Sequence, residues 1–132
     1  KMYKSKKLVL KDMEKLLEAA KRDKDILAVI LFGSAARGEP ARDTDVCVVL
    51  DPEKLKDINI TKKSLEYTLK FGMDIHIYQG LPLYIQIRIL KEGKIELVKD
   101  EDGLYDIAEA TVREFEHFKP RYEAYLEGVL HG

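Results

Sequence analysis

Two polar motifs interrupt the apolar segments of this sequence, and their residue types are suited to binding phosphates and metal ions. In the first, Gly33 and Ser34 follow an apolar run and precede a short segment that ends at Gly38. A strand that turns into a helix directs backbone N–H groups toward one position, and the helix N-terminus favours an anion there. Gly33 would let a ligand approach the backbone closely, and Ser34 would add a hydroxyl. This motif predicts a phosphate-binding turn, although an ordinary turn and cap would have the same residues.

The second motif is acidic. Asp43 and Asp45 lie two residues apart before the apolar run 46–50, and side chains at this spacing share one face of a strand. Two carboxylates placed together repel each other unless a cation lies between them. Oxygen ligands of this kind favour Mg²⁺, which keeps coordination positions for water and substrate phosphates. A solvated turn is the alternative interpretation of an isolated Asp-x-Asp pair.

A third carboxylate, Asp74, lies at the start of the alternating segment 73–78. Aspartate is disfavoured in strands, so its position indicates either a functional role or an exposed strand end. His76 would share the sheet face of Asp74, and we interpret it as a packed or supporting residue rather than a catalytic one.

The elements that must position these residues alternate between helices and strands. Apolar residues at helical spacing predict helices over about 8–23, 60–71, 83–90 and 103–127. Short apolar or alternating runs predict strands over 26–32, 46–50, 73–78 and 94–98. The last helix is expected to be interrupted or bent near Pro120. This order predicts a single α/β (α+β) domain over residues 1–132, with a small mixed β-sheet flanked by helices and a long C-terminal helix.

The composition limits the classes of partner and location. The 132 residues include 23 Lys+Arg and 24 Asp+Glu, so the net charge of −1 provides no overall attraction to nucleic acid, which is not an expected partner. No apolar run approaches the roughly 18 residues of a membrane span, and the basic amino end is not followed by the apolar core of a signal peptide. The single cysteine, Cys47, cannot form an internal disulfide. These features predict a cytoplasmic protein without a membrane partner.

Taken together, the motifs resemble those of the minimal nucleotidyltransferases, the small members of the DNA polymerase β-like nucleotidyltransferase superfamily. The family pattern is Gly-Ser, a small-basic-Gly segment, a short loop, an Asp-x-Asp pair that opens a strand, and a third Asp on a later strand. The resemblance runs from Phe32 to Asp74, and the segment Gly-Ser-Ala-Ala-Arg-Gly at 33–38 matches closely. It implies the nucleotidyltransferase fold.

The resemblance also implies an activity: the Mg²⁺-dependent transfer of a nucleoside monophosphate, with AMP from ATP as the expected case, to an acceptor hydroxyl. By this analogy, Asp43 and Asp45 hold Mg²⁺ against the triphosphate of ATP or another nucleoside triphosphate. Gly33 and Ser34 bind the outer phosphates, and Arg37 neutralises their charge.

On the acceptor side, the resemblance implies that Asp74 holds a second metal ion and helps to deprotonate the acceptor hydroxyl. Small members of the family often act as the antitoxin of a two-gene module and are paired with a helical HEPN-domain toxin. Some of them transfer AMP to that toxin. A HEPN-domain protein is therefore the partner and acceptor that the resemblance implies, and an oligomeric state is compatible with it.

The loop before the acidic pair is about two residues shorter than in the family pattern. With a shortened loop, Asp43 and Asp45 are the metal pair and Cys47 is an ordinary strand residue. Without a gap, Thr44-Asp45-Val46-Cys47 covers Ser-Asp-x-Asp, and Cys47 replaces the second carboxylate. We favour the shortened loop, because a loop tolerates a length change better than a metal site tolerates the loss of a ligand. The ungapped alternative describes a catalytically weak relative that acts as a protein-binding antitoxin module.

Overall fold

The structure is a computed structural model that describes residues 6–33 and 45–131. Its main elements, in chain order, are α1 (Lys6–Arg22), β1 (Ile26–Phe32), β2 (Asp45–Leu50), α2 (Ile60–Phe71), β3 (Asp74–Ile77), α3 (Leu83–Glu92), β4 (Lys94–Val98) and α4 (Glu101–His131). Two 3₁₀ helices, Pro52–Asp57 and Tyr78–Gly80, join β2 to α2 and β3 to α3. Within the described ranges, none of the helices combines the length and the apolar content needed to cross a membrane.

The strands form one mixed sheet in the order β3-β2-β1-β4. β1 is antiparallel to both β2 and β4, whereas β2 and β3 are parallel. The apolar runs of β1 and β2 are buried because these strands occupy the centre of the sheet. The edge strand β3 instead alternates between partly buried and buried residues. The predicted α+β fold, with a small mixed sheet flanked by helices, is confirmed.

Helices cover both faces of the sheet. On one face, Leu16 of α1 and residues of α2 pack against strand residues that include Val46, Val48, Ile75 and Ile77. On the other face, Ile89 of α3 and Leu104 of α4 pack against Ile30, Cys47 and Val49. Because side chains alternate along each strand, this division also fixes the face on which the polar residues at the strand ends lie.

The C-terminal helix was predicted to be interrupted or bent near Pro120. The interruption is wrong, because α4 continues as one helix from Glu101 to His131; the bend stays a prediction. Pro120 has no N–H to donate to the carbonyl of Glu116, which destabilises a helix by about 3 kcal/mol. Both residues are exposed, so water can bind the carbonyl that the proline leaves without its helical partner.

Two hydroxyl groups of α2 hold the edge strand β3 in place. Ser64 Oγ donates a hydrogen bond to the carbonyl oxygen of Ile75 at 2.6 Å, and the Ile75 N–H donates to Thr68 Oγ1 at 3.2 Å. These bonds satisfy backbone groups on the side of β3 that has no neighbouring strand. The position of Asp74, at the start of β3, is therefore determined by α2 as well as by β2.

A polar cluster joins α2 to the turn between α1 and β1. Lys63 Nζ lies 2.7 Å from Asp23 Oδ2 and 3.1 Å from Asp25 Oδ2, and the Tyr67 hydroxyl donates to Asp23 Oδ2 at 2.6 Å. Burial alone would raise the pKa of Asp23, but the hydrogen bonds from Lys63 and Tyr67 outweigh it and lower this pKa. Burial would lower the pKa of Lys63, but its bonds to the two aspartates raise it.

These pKa shifts define the pH range in which the cluster stabilises the fold. Asp23 has a lowered pKa in the folded state, so its contribution is complete above the unfolded-state value of about 3.9 and is lost as the pH falls through the folded-state value. Lys63 has a raised pKa, so its contribution is complete below the unfolded-state value of about 10.4 and is lost as the pH rises through the folded-state value.

Lys63→Met is expected to lower the free energy of unfolding by about 1–3 kcal/mol at pH 7, since it removes two charged hydrogen bonds and leaves Asp23 partly buried. The difference from the wild-type chain should shrink as the pH falls below about 4, because the unfolded chain protonates Asp23 there and the folded wild-type chain protonates it only at lower pH. Urea unfolding at pH 7 and pH 3 measures both values. Lys62→Met, at an exposed neighbouring position, is the control; equal stability of the two variants at pH 7 would contradict the prediction.

Candidate functional site

A row of three side chains crosses the sheet where the acidic motifs lie. Phe32, at the end of β1, pairs with Asp45 at the start of β2, and Asp45 pairs with Asp74 at the start of β3. Paired residues on neighbouring strands point to the same face, and the strands are about 4.8 Å apart. The structure therefore brings Asp45 and Asp74 together, although they are far apart in the sequence.

Alternation along the strands identifies the face that the two carboxylates share. In β3, Ile75 and Ile77 pack into the core beside α1 and α2, so Asp74 points to the opposite face. In β2, Asp45 lies on the side of Cys47 and Val49, which pack toward α3 and α4. Both carboxylates therefore lie at the rim of the face that α3 and α4 cover.

Gly33 brings the backbone close to one of these carboxylates. Its φ of +71° is in the left-handed region, which side-chain-bearing residues rarely adopt. A Cβ atom at this position would lie only 2.8 Å from Asp45 Oδ2. Both the backbone conformation and the available space therefore require glycine, as the sequence motif predicts for a turn that a ligand approaches closely.

Gly33→Ala is expected to lower the free energy of unfolding by about 1–2 kcal/mol, because alanine is strained in the left-handed region, and to displace the Asp45 carboxylate. Gly33→Val should in addition weaken nucleotide binding. Gly128→Ala is a matched control, since a Cβ at Gly128 meets no atom within 4 Å and alanine favours a helix by about 1 kcal/mol. Urea unfolding and calorimetric titration with Mg²⁺ and ATP measure these effects; a Gly33→Ala variant as stable as Gly128→Ala would contradict the prediction.

Three of the predicted site residues lie outside the described residues: Ser34, Arg37 and Asp43. Their roles stay predictions, as does the helical turn expected after Gly33. The predicted residues that the structure does bring together are Gly33, Asp45 and Asp74.

His76 and Cys47 lie one row behind the carboxylates. His76 pairs with Cys47 across the strands, and its ring packs edge-on against Phe32 with the centroids 5.7 Å apart. Cys47 is fully buried among apolar residues, and burial raises the pKa of its thiol to about 12. A metal ligand must be the thiolate, which this environment disfavours.

The helix α3 supplies residues to this site that the sequence motifs do not include. Together with Phe32, Gly33 and Asp45, four of its residues line a cavity of about 200 Å³: Ile85, Arg88, Ile89 and Glu92. Their spacing places them on one face of a helix. This periodicity is visible in the sequence, but the sequence does not indicate that the face lies beside Asp45.

A second, larger groove runs along the outer side of β3. Its volume is about 430 Å³, and its lining includes Asp74 and His76 from β3 together with Ser64 and Leu65 from α2. Asp45 and Asp74 thus border different depressions, one on the α3 side and one on the outer edge of the sheet.

The carboxylates fit a hard divalent cation, but the described part of the chain does not supply a full set of ligands. Across residues 6–33 and 45–131, no three His, Cys, Asp or Glu side chains are grouped as metal ligands. Two carboxylates at the starts of parallel neighbouring strands suit Mg²⁺, which takes one or two protein carboxylates and completes its shell with water and phosphate oxygens. Asp43, predicted as the partner of Asp45, would be the further donor.

Comparison with known families identifies the class of protein that this fold and site define. Residues 14–102 match the family described as polymerase beta, nucleotidyltransferase. The matched range contains Gly33 and the two strands that begin with Asp45 and Asp74. The chain belongs to this nucleotidyltransferase family.

Among solved structures, chains of toxin–antitoxin complexes have the same fold. A toxin–antitoxin complex with AMP-PNP matches with a TM-score of 0.66 and 18% identity over 91% of this chain and 97% of that chain. The tri-AMPylated HEPN toxin with its MNT antitoxin from Shewanella oneidensis matches with a TM-score of 0.61 and 16% identity, over 93% and 98%. The MntA–HepT complex matches with a TM-score of 0.60 and 14% identity, over 91% and 95%. No curated protein sequence matches the chain. The family and the fold confirm the predicted resemblance to minimal nucleotidyltransferases.

Proposed function

We propose that this protein is a Mg²⁺-dependent nucleotidyltransferase that moves AMP from ATP to an acceptor hydroxyl. The observation that carries the proposal is the pairing of Asp45 with Asp74 on parallel neighbouring strands, beside a left-handed turn at Gly33 that strongly favours glycine. Carboxylates in this arrangement can bind a divalent cation between them and a triphosphate. Bound Mg²⁺ would neutralise phosphate charge and acidify the acceptor hydroxyl.

On the donor side, Asp43 and Asp45 would hold the metal ion, and Gly33 and Ser34 would position the outer phosphates with Arg37. The burial of Cys47 among apolar residues supports the shortened-loop alignment, in which Asp43 pairs with Asp45. In that alignment Cys47 has only a packing role, which its apolar surroundings suit.

On the acceptor side, Asp74 would help to hold a second metal ion and would accept the proton of the acceptor hydroxyl. The hydroxyl oxygen would then attack the α-phosphorus, and pyrophosphate would leave. The groove along β3 gives an acceptor a route to Asp74 that does not cross the cavity beside Asp45.

A HEPN-domain toxin is the acceptor that we propose, with an antitoxin role for this chain in the cytoplasm. The support is the fold shared with the MNT antitoxin that is complexed with a tri-AMPylated HEPN toxin. In this proposal, residues 1–132 act as a single domain.

The test is an assay with the purified chain, Mg²⁺, ATP labelled at the α-phosphate and a HEPN-domain protein from the same genome. We expect the label on the HEPN protein, released pyrophosphate in equal amount, and loss of both when EDTA removes the metal. Absence of Mg²⁺-dependent ATP binding would contradict the proposal.

The second candidate function is a binding module that neutralises its partner through surface contact alone. The observation that favours it is the spacing of the motif: the loop before Asp43 is about two residues shorter than in the family pattern, and without a gap Cys47 takes the place of the second metal carboxylate. This candidate predicts that the partner binds with the same affinity in the presence and absence of Mg²⁺ and ATP.

A further inference from the structure

One face of α3 forms a wall of the cavity beside Asp45. Ile85 and Ile89 contribute its apolar part, and Arg88 and Glu92 contribute its charged part. Ile89 is buried in the core, which fixes the rotation of the helix about its axis, and Arg88 is exposed. Arg88 is thus held beside the cavity by the packing of its own helix rather than by a flexible loop.

The charges around the cavity leave this arginine available to an anion. Within residues 6–33 and 45–131, no carboxylate lies within ion-pair distance of the Arg88 guanidinium. The other charged side chains that line the cavity are Asp45 and Glu92. A metal ion held by Asp45 would offset the negative charge of the Asp45 carboxylate. A phosphate group could then enter the cavity and reach Arg88. The planar guanidinium forms paired hydrogen bonds with phosphate oxygens.

The cavity is also of a size that suits phosphates rather than a whole nucleotide. Its volume of about 200 Å³ is below the roughly 300–1,000 Å³ of typical small-molecule sites. It is lined by Gly33 and Asp45, which belong to the donor side, whereas Asp74 and His76 line the separate groove along β3. Under the proposed function, an arginine in this position would lie on the donor side with Gly33 and Asp45 and not on the side of the acceptor.

We propose that Arg88 is a phosphate-binding residue, which α3 contributes to the outer phosphates of the nucleoside triphosphate. This inference rests on the proposed function and adds to it a cation that the Gly-Ser and Asp-x-Asp motifs do not contain. Arg88 makes the site selective for a triphosphate over a monophosphate, because only the triphosphate reaches from Asp45 to α3.

The experiment is calorimetric titration of the full chain with ATP, AMP and inorganic tripolyphosphate, each in the presence of Mg²⁺. Arg88→Gln should weaken the binding of ATP and tripolyphosphate by about tenfold, as expected for the loss of a charged hydrogen bond, and leave AMP binding unchanged. Arg88→Lys keeps the charge without the paired geometry and should have an intermediate effect. Lys91→Gln removes an exposed positive charge from the same helix outside the cavity, and it should bind all three ligands like the wild-type chain.

The outcomes separate the inference from the proposed function. If the wild-type chain binds ATP with Mg²⁺ and Arg88→Gln binds it equally well, the role of Arg88 is wrong and the proposed function stands. If Arg88→Gln weakens ATP and AMP by the same factor, Arg88 acts only on the structure and the inference is also wrong. If the wild-type chain does not bind ATP, the proposed function fails and the inference fails with it. Should Arg88→Gln not fold, the ratio of ATP to AMP affinity in Arg88→Lys decides.

Discussion

Asp74→Asn is expected to reduce nucleotide transfer by at least about 100-fold, while the affinity for ATP changes by less than about threefold. Asn keeps the size of the side chain but removes the negative charge that would hold a metal ion and accept the acceptor proton. Stabilisation of charge that develops only in the transition state typically contributes about 3–4 kcal/mol, and its loss lowers kcat rather than ground-state binding. Single-turnover transfer rates and calorimetric ATP titrations measure the two effects.

A matched control for this variant is Asp106→Asn, which makes the same chemical change at an exposed position on α4. It should transfer AMP at the wild-type rate. The position of Asp74 at the strand start, in register with Asp45, means that the fold should tolerate the change. Full activity of Asp74→Asn in a folded chain would exclude the proposed mechanism, in which Asp43, Asp45 and Asp74 act together. It would favour the binding-module function.

The second large effect is expected at the acidic pair. Asp45→Asn should abolish transfer, with a loss of at least about 1,000-fold, because Asp45 is a metal-binding carboxylate in both alignments of the motif. It should also abolish the rise in melting temperature that Mg²⁺ and ATP produce in the wild-type chain, since ligands that bind only the folded state stabilise it. Transfer assays and thermal unfolding with and without Mg²⁺ measure these two losses.

Two further variants distinguish the alignments. With the shortened loop, Asp43→Asn should lose activity to the same extent as Asp45→Asn, and Cys47→Ser should keep it. Without a gap, Asp43→Asn should remain active, and Cys47→Ser should alter metal binding. Cys47 is fully buried, so Cys47→Ser could also change the stability of the fold. An unfolding curve of the Cys47→Ser variant is therefore needed to separate a change in stability from a change in metal affinity.

The helices and strands of this fold were predicted well from the sequence. Each element has its own pattern of buried and exposed side chains, and the spacing of apolar residues records that pattern. The continuous runs in β1 and β2 and the alternation in β3 indicated both the strands and their exposure. Pro120 suggested an interruption that the structure does not show. Whether a helix continues past a proline depends partly on whether water can reach the carbonyl that loses its helical hydrogen bond, and this exposure is not a local property of the sequence. The short 3₁₀ helix Pro52–Asp57 has a signal in Asp51 and Pro52, which also fits an ordinary turn.

The candidate site was only partly predictable for a related reason. Asp45 and Asp74 stand out because aspartate is disfavoured within strands, and Gly33 stands out because it begins the Gly-Ser motif. Arg88 does not stand out, because an arginine on a helix is ordinary until the register of the sheet and the packing of Ile89 place it beside Asp45. Pairing between strands that are distant in the sequence determines which polar residues share a cavity.

The hydroxyl bonds that α2 makes to β3 affect how a macromolecular substrate can be recognised. Because Ser64 and Thr68 already occupy the outward backbone groups of Ile75, an extended segment of another protein cannot add itself to this sheet as a further strand there. Under the proposed function, a protein acceptor would instead be selected by the shape and side chains that it presents to the groove along β3. The same two bonds keep copies of this chain from joining edge to edge through the backbone of Ile75.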